Sequence, residues 1–400
     1  MSVNNKVPEI RFKGFSGEWK NKKIGRILAE IKRPIELMDN ASYQLVTVKR
    51  RNEGVVPRVV LKGKNILVKN YFSVKAGDYL ISKRQVVHGA NGIVPDNLDG
   101  AVVSNEYLVV TDSDDITARY WTVISIRPEM HKLFFVSSYG VDIEKLVFDV
   151  TDWKNRTIVI PQVTEQKNIT DYFQKLDALI NQHQQKHDKL SSIKKAMLEK
   201  MFPKQGDSIP EIRFKGFSGE WKKLTLGDIG SVAMNKRIFK HQTTIIGEIP
   251  FFKIGTFGKQ ADAFISKTLF DEYKAKYPYP VAGDLLLSAS GSIGRVVEYK
   301  GEEQYFQDSN IVWLKHDGKI DNAFLKVFYS MVKWSGLEGS TIQRLYNKNI
   351  LDTEISTPER HEQTAIGNYF QKLDALINQH QQQIAKLNNI KQACLSKMFV

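Results

Sequence analysis

The 400-residue chain contains one cysteine, Cys394. A single thiol closes no intramolecular disulfide and builds no multi-cysteine zinc site, and such usage fits a reducing compartment. No stretch approaches the ~20 apolar residues of a membrane span. The opening residues, MSVNNKVPEIRFKG, hold no apolar core of signal-peptide type. The expectation is a soluble, cytoplasmic protein with no membrane partner. Nucleotide-binding signatures are also missing: there is no G-x-x-x-x-G-K-[ST], and no G-x-G-x-x-G follows a strand pattern. No Asn/Asp-Pro-Pro-aromatic motif of amino-methyltransferases is present, and no acidic-x-Lys follows Pro95-Asp96 at the distance a nuclease carboxylate pair would need. No catalytic residue and no cofactor bound by this chain is expected.

Two weaker chemical patterns read as structure. Asp112, Asp114 and Asp115 cluster in a turn, but Mg²⁺ sites need carboxylates held by rigid elements, so a solvated acidic loop is expected. His183 and His187 have metal-ligand spacing on a helix, yet the second copy described below has Ile384 where the first has His187. No metal site is expected.

What is present is charge and repetition. The formal net charge is +14, and 42% of residues are apolar. That apolar content supports a packed core rather than disorder, and the basic excess attracts polyanions without choosing among them. Residues 7–20, VPEIRFKGFSGEWK, return as residues 209–222, IPEIRFKGFSGEWK, with thirteen of fourteen positions identical. Residues 172–183 and 369–380 both read YFQKLDALINQH. Between these near-identical ends the two copies share only echoes, such as Ala76-Gly77-Asp78 with Ala282-Gly283-Asp284, and Ser104-Asn105 with Ser309-Asn310.

The constant helices are the clearest local pattern. Phe173, Leu176, Ile180, His183, His187, Leu190, Lys194, Met197 and Met201 fall on alternating three- and four-residue steps. Phe370, Leu373, Ile377, His380, Ile384, Leu387, Lys391, Cys394 and Met398 repeat them, which predicts a coiled-coil seam. On that seam Cys394 reads as a small buried hydrophobe rather than a nucleophile. Thr357-Pro358 reads as an N-cap followed by proline at the first helical position. Pro203 stops the first helix. The copy's own helix is the nearest partner, so an antiparallel pair is expected, with a pseudo-two-fold relation between the copies.

The variable regions alternate short strand patterns, among them residues 43–48, 78–81, 107–111 and 311–314, with helical patterns at 116–126 and 322–334. The expected fold is mixed α/β (α+β): two mixed domains joined by two long antiparallel coiled-coil helices. The expected boundaries are 1–160 for the first domain, 161–203 for a central helix, 204–357 for the second domain and 358–400 for a C-terminal helix.

Basic and amide side chains cluster in loops of both domains. The first has Arg50 and Arg51, then Lys83, Arg84, Gln85, His88 and Asn91. The second has Lys236 and Arg237, then Ser290, Ser292 and Arg295, then Thr341, Ile342, Gln343 and Arg344. Such side chains hold phosphates and read base edges. One cluster follows the Ala-Gly-Asp strand in each copy. The 291–295 loop also reads, alternatively, as a backbone nest for a small anion.

Together the repeated P-E-I-R-F-K-G-F-S-G-E-W, the A-G-D-L-L-L-S-A-S-G-S-I-G-R run at 282–295 and the E-Q…Y-F-Q-K-L-D-A-L-I helix starts at Glu165 and Glu362 resemble the specificity subunit of Type I restriction–modification enzymes. The likeness covers essentially the whole chain; it departs from symmetry at residues 83–88, where KRQVVH replaces the small-residue loop. The resemblance implies two target-recognition domains, each reading half of a bipartite, asymmetric site in double-stranded DNA. It implies that the constant helices act as a ruler and dock two methyltransferase subunits, with restriction subunits in the full complex. Those partners would use S-adenosylmethionine, ATP and Mg²⁺. The seam residues Phe173, Leu176, Ile180, His183, Leu190, Phe370, Leu373, Ile377, His380 and Leu387 are the expected partner and helix interface. A stand-alone sequence-specific DNA-binding regulator is the alternative.

Overall fold

The computed structural model of the chain describes residues 6–67, 70–334 and 343–400. They divide into two compact units: residues 1–183 with 382–400, and residues 184–381. The class is the expected mixed α/β, with two sheet-rich domains and two long helices.

Each unit opens on the same clasp. In the first, strand Lys20–Lys23 pairs antiparallel with Thr157–Ile160, Lys20 facing Ile160. In the second, Lys222–Thr225 pairs with Glu354–Thr357, Lys222 facing Thr357. The facing residues are repeat equivalents, so the two clasps share one register.

Each unit then builds a four-stranded antiparallel sheet of identical order. In the first it runs Ala29–Glu30, Tyr107–Thr111, Tyr79–Ser82, Asn91–Ile93. In the second it runs Ser231–Met234, Ile311–Lys315, Leu285–Ser288, Val296–Glu298. The strands Tyr79–Ser82 and Leu285–Ser288 are buried at every residue, which explains why they read as unbroken apolar runs. The Ala-Gly-Asp echo ahead of them is a turn. Gly77 and Gly283 sit at φ +87° and +97°, where a side chain is strained. The aspartates accept the backbone N–H three residues back, Lys75 N at 2.7 Å and Val281 N at 2.9 Å. At this shared position Asp78 is further clamped by the Arg33 guanidinium, whereas burial pushes the Asp284 carboxyl above the usual range.

Divergence lies in the remaining sheets. Both units have a parallel pairing, Leu45 with Val102 and Phe251 with Tyr305. The first extends it with the long hairpin Ser42–Lys49 and Gly54–Lys62 into five strands. The second stops at three and adds the helix Lys267–Lys276.

The helix Ala118–Ser125 is capped by Thr117, whose Oγ1 accepts Tyr120 N at 3.1 Å. Its counterpart Asn322–Met331 is capped by Asp321 and ends three residues earlier than its apolar pattern, because Val332 turns extended (ψ 134°). The acidic loop also has structural duties. Asp112 accepts Ala118 N at 2.7 Å, and Asp115 pairs with Lys22 at 2.9 Å.

The long helices are Val163–Lys200 and Arg360–Lys397, 38 residues each. The expected threonine cap is corrected. Thr357 belongs to the clasp strand, because its backbone pairs with Lys222, and the helix begins at Arg360. Gln166 and Gln363 instead tie each start down: they donate to Pro161 O and Pro358 O and accept Thr117 N and Asp321 N.

Within each unit, part of one long helix packs antiparallel on part of the other. In the first unit Tyr172 lies against Cys394 and Asp177 against Lys391 (Nζ–Oδ1 2.6 Å). In the second Lys194 bonds Asp374 at 2.5 Å and Phe202 packs on Phe370. The seam is real. Phe173, Leu176, Phe370, Leu373 and Leu387 are buried, and Ile180, His183, Leu190, Ile377 and His380 are half-buried. Cys394 is half-buried with its Sγ 3.5 Å from the Tyr172 hydroxyl. The division into units differs from the sequence boundaries, since residues 184–200 pack with the second domain and 382–400 with the first.

Candidate functional site

The loops that join equivalent strands carry most of the basic candidates. Residues 83–90 connect Tyr79–Ser82 to Asn91–Ile93, and residues 289–295 connect Leu285–Ser288 to Val296–Glu298. They are therefore the same hairpin loop of the same sheet.

In the first unit this loop meets the tip of the long hairpin. Arg51 N donates to His88 O at 2.7 Å and Asn52 N to Gly89 O at 2.9 Å. The approach requires the glycines of His88-Gly89-Ala90-Asn91-Gly92. A Cβ on Gly89 would stand 3.1 Å from Asn52 atoms, and one on Gly92 would stand 2.7 Å from Gly54 Cα. The tip turns through positive φ at Arg51 (60°) and Asn52 (56°). Arg50, Arg51, Lys83, Arg84 and His88 are thus brought onto one surface.

Two of the candidates in this group face inward. Asn91 is only 2% exposed and donates to Asn52 Oδ1, so it fastens the tip. Gln85 is half-buried, and its Oε1 lies in the interior without a hydrogen-bond partner among the described residues. Among the outward ones, Arg84 bonds Glu106 and Arg50 bonds Glu144, each at 2.7 Å. Such exposed pairs are worth little and yield readily to a competing anion. Lys83 donates to Asn105 O. Arg51 is exposed and makes no side-chain ion pair among the described residues.

In the second unit Ser290 bridges Arg344 backbone to backbone, and Leu345 N donates to Ala289 O. Ser290 Oγ donates to Asn310 Oδ1 at 2.7 Å, and Arg344 Nη2 donates to Ser309 O at 3.0 Å. The Ser309-Asn310 echo therefore lies at this loop. Ser292, Arg295 and Gln343 are exposed, and Arg295 is steadied by Phe257 O. Thr341 and Ile342 lie outside the described residues. Lys236 and Arg237 are exposed on another segment, over the rings of Tyr277 and Phe239. No hydrogen bond joins them to the Ser290–Arg344 group among the described residues.

In the 291–295 loop Ile293 N, Gly294 N and Arg295 N donate to Gly291 O, Ser288 O and Ser288 Oγ, so these amides are not open to an anion.

One contributor carries no motif. In the first unit, Phe148 N donates to Lys83 O at 2.9 Å, the counterpart of the Leu345–Ala289 bond. This seats a small hairpin, Ser138–Tyr139 with Val147–Phe148, beside the basic loop. Its strands are two residues each, too short for any periodicity to show.

The seam residues expected to meet a partner are buried or half-buried inside the chain. The identical helix segments present another face instead. Gln174, Lys175, Ala178, Leu179 and Gln182 are exposed, as are their equivalents Gln371, Lys372, Ala375, Leu376 and Gln379.

Comparison with known proteins agrees with this arrangement. The family model of the Type I restriction modification DNA specificity domain matches residues 218–389. A Haemophilus influenzae protein named as a type I restriction enzyme specificity subunit is 54% identical over 158 residues, 39% of this chain and 41% of that protein. The match thus spans about two fifths of that relative's length. The crystal structure of the Type-I restriction-modification system S subunit from M. genitalium aligns over 98% of this chain and 99% of its own, with TM-score 0.62 and 12% identity, a likeness of fold. The HsdS subunit from Thermoanaerobacter tengcongensis aligns over 95% of this chain and 96% of its own, with TM-score 0.44 and 16% identity. Residues 218–389, most of the second copy, thus match the Type I restriction modification DNA specificity domain, and the first copy repeats the frame of the second.

Proposed function

We propose that this chain is the DNA-specificity subunit of a Type I restriction–modification complex, contributing recognition rather than catalysis. Each unit reads one half of a bipartite site in double-stranded DNA. The observation that carries this is the equivalence of the two basic hairpin loops. One frame is duplicated, and the loop that leaves the same buried strand differs in sequence. Different loops on equal frames read different half-sites, so the whole site is asymmetric.

Two domains are needed for physical reasons. Each good base contact discriminates by only ~1–3 kcal/mol, so one small loop set specifies a few base pairs. The outward arginines and lysines supply phosphate contacts that fix register without carrying sequence information.

The identical helix faces dock two copies of a methyltransferase subunit, and restriction subunits join them for cleavage. Symmetric partners require the same surface twice, and the exposed Leu179 and Leu376 stand at its centre. S-adenosylmethionine, ATP and Mg²⁺ belong to those partners. The helices set the spacer between half-sites.

Methylome sequencing of cells carrying this chain with its methyltransferase tests the reading. The expected result is one bipartite, asymmetric methylated motif that disappears when either gene is removed. Tight specific binding by the chain alone, with no methylation in the paired cells, would instead establish a stand-alone regulator.

A further inference from the structure

The small hairpin beside the first unit's basic loop has an unusual tip. Its base is anchored by Leu146 and Phe148, both buried, with Phe148 packed edge-on against Phe134. Its tip points the other way: Val141 is fully exposed, Tyr139 is 62% exposed and Ile143 is 56% exposed. Contiguous exposed apolar groups on a folded surface mark a contact site.

The surroundings define the occupant. Arg50, Arg51, Arg84 and Lys145 are all exposed around the tip. Glu144 holds Arg50 at 2.7 Å and lies 3.7 Å from His88, and Ile143 O lies 3.2 Å from the same imidazole. A cationic rim around an apolar centre suits a polyanion with an uncharged interior. The tip itself carries Asp142 and Glu144, which phosphates repel. It therefore belongs in a groove, not on the backbone. The major groove is about 12 Å wide, admits a two-stranded ribbon, and displays thymine methyl groups and cytosine amino donors.

We propose that residues 140–144 enter the major groove of the half-site read by the first unit, where Val141 and Ile143 contact thymine C5 methyl groups. The flanking arginines then reach the phosphates on either side. This rests on the specificity-subunit reading above.

The test uses the complex of the full chain with its methyltransferase, and duplexes in which each thymine of that half-site is replaced in turn by deoxyuridine. Loss of one methyl contact is expected to weaken wild-type binding roughly fourfold, the equivalent of ~0.8 kcal/mol per buried carbon at about 1.4 kcal/mol per decade. With V141S/I143S the same replacements are expected to have no effect, and the methylome logo is expected to relax at those thymines only. Both positions are exposed, so the fold is not at risk, and unchanged methylation at the other half-site confirms it. Three results overturn the proposal: an unaltered logo, a deoxyuridine effect that persists in the variant, or a half-site with no T·A pair. Loss of methyltransferase co-purification with intact DNA specificity would make the tip a protein contact and overturn it as well. If wild type yields no bipartite motif at all, the specificity-subunit reading fails first, and the tip proposal with it.

Discussion

Arg213 holds Glu362 by two parallel hydrogen bonds of 2.6 Å, with the carboxylate 1% exposed, and its third contact is to Gly219 O. Arg11 and Glu165 make the same clamp in the other unit, with Gly17 O as third partner. The repeated P-E-I-R-F segment thus fastens itself to the start of the long helix. Near-identity of the chain's ends has an internal cause here, beside any external docking.

Replacing one partner of this clamp leaves a buried charge alone. Glu362→Gln or Arg213→Leu is expected to destabilise the second unit by ~3–5 kcal/mol, while removing both together with apolar residues costs less. Thermal unfolding of the two single variants and the double variant checks this. Additive losses would show that the two residues do not act as a pair.

Phe399 packs edge-on against Trp19 at 6.0 Å, as Phe202 does against Trp221 at 5.6 Å. Phe399→Ala is expected to cost the first unit ~3–5 kcal/mol through the cavity it leaves. Hydrogen exchange should then rise in residues 6–23 and stay unchanged in residues 209–225.

Arg51 and Arg295 are expected to separate backbone contact from base reading. Arg51→Ala should weaken binding evenly across sequences and lower the salt slope by about 1. Arg295→Ala should relax one half-site alone. Salt titrations and methylome logos of the two variants distinguish these outcomes. Equal loss at both half-sites with Arg295→Ala would indicate misfolding instead.

Leu179→Asp together with Leu376→Asp places charge on the exposed helix face and leaves the seam intact. The expected outcome is loss of methyltransferase from the purified complex, with the melting temperature of the isolated chain unchanged. Retention of both methyltransferase copies would move the docking surface elsewhere.

Asp284 gives the second unit a pH signature. Burial raises the folded-state pKa of Asp284 above its unfolded value. Between the two values the folded state binds more protons, so this group's penalty grows as pH rises through that window. Asp284→Asn keeps an acceptor for Val281 N and removes the charge. It is expected to raise stability at neutral pH and to remove this group's gain in stability as pH falls toward the ordinary aspartate range. Unfolding curves of both proteins at pH steps from 7 down to about 4, the ordinary aspartate range, decide it.

The sequence by itself determined the duplication, the long helices with their seam, the buried strands after Ala-Gly-Asp and the loops that follow them. All of these are local or periodic signals, and a heptad or an apolar run is written in consecutive residues. Tertiary structure alone decided which helix half packs with which domain, since Phe399 reaches Trp19 across almost the whole chain. It also decided orientation within the loops, turning Asn91 and Gln85 inward while Arg84 and Arg51 stay exposed. The hairpin at 138–148 was illegible because its strands are two residues long, and only its seating against Lys83 reveals it. Contacts between distant segments leave no mark in the spacing of either one, so the duplicated frame could be read from residues while its mutual fastening could not.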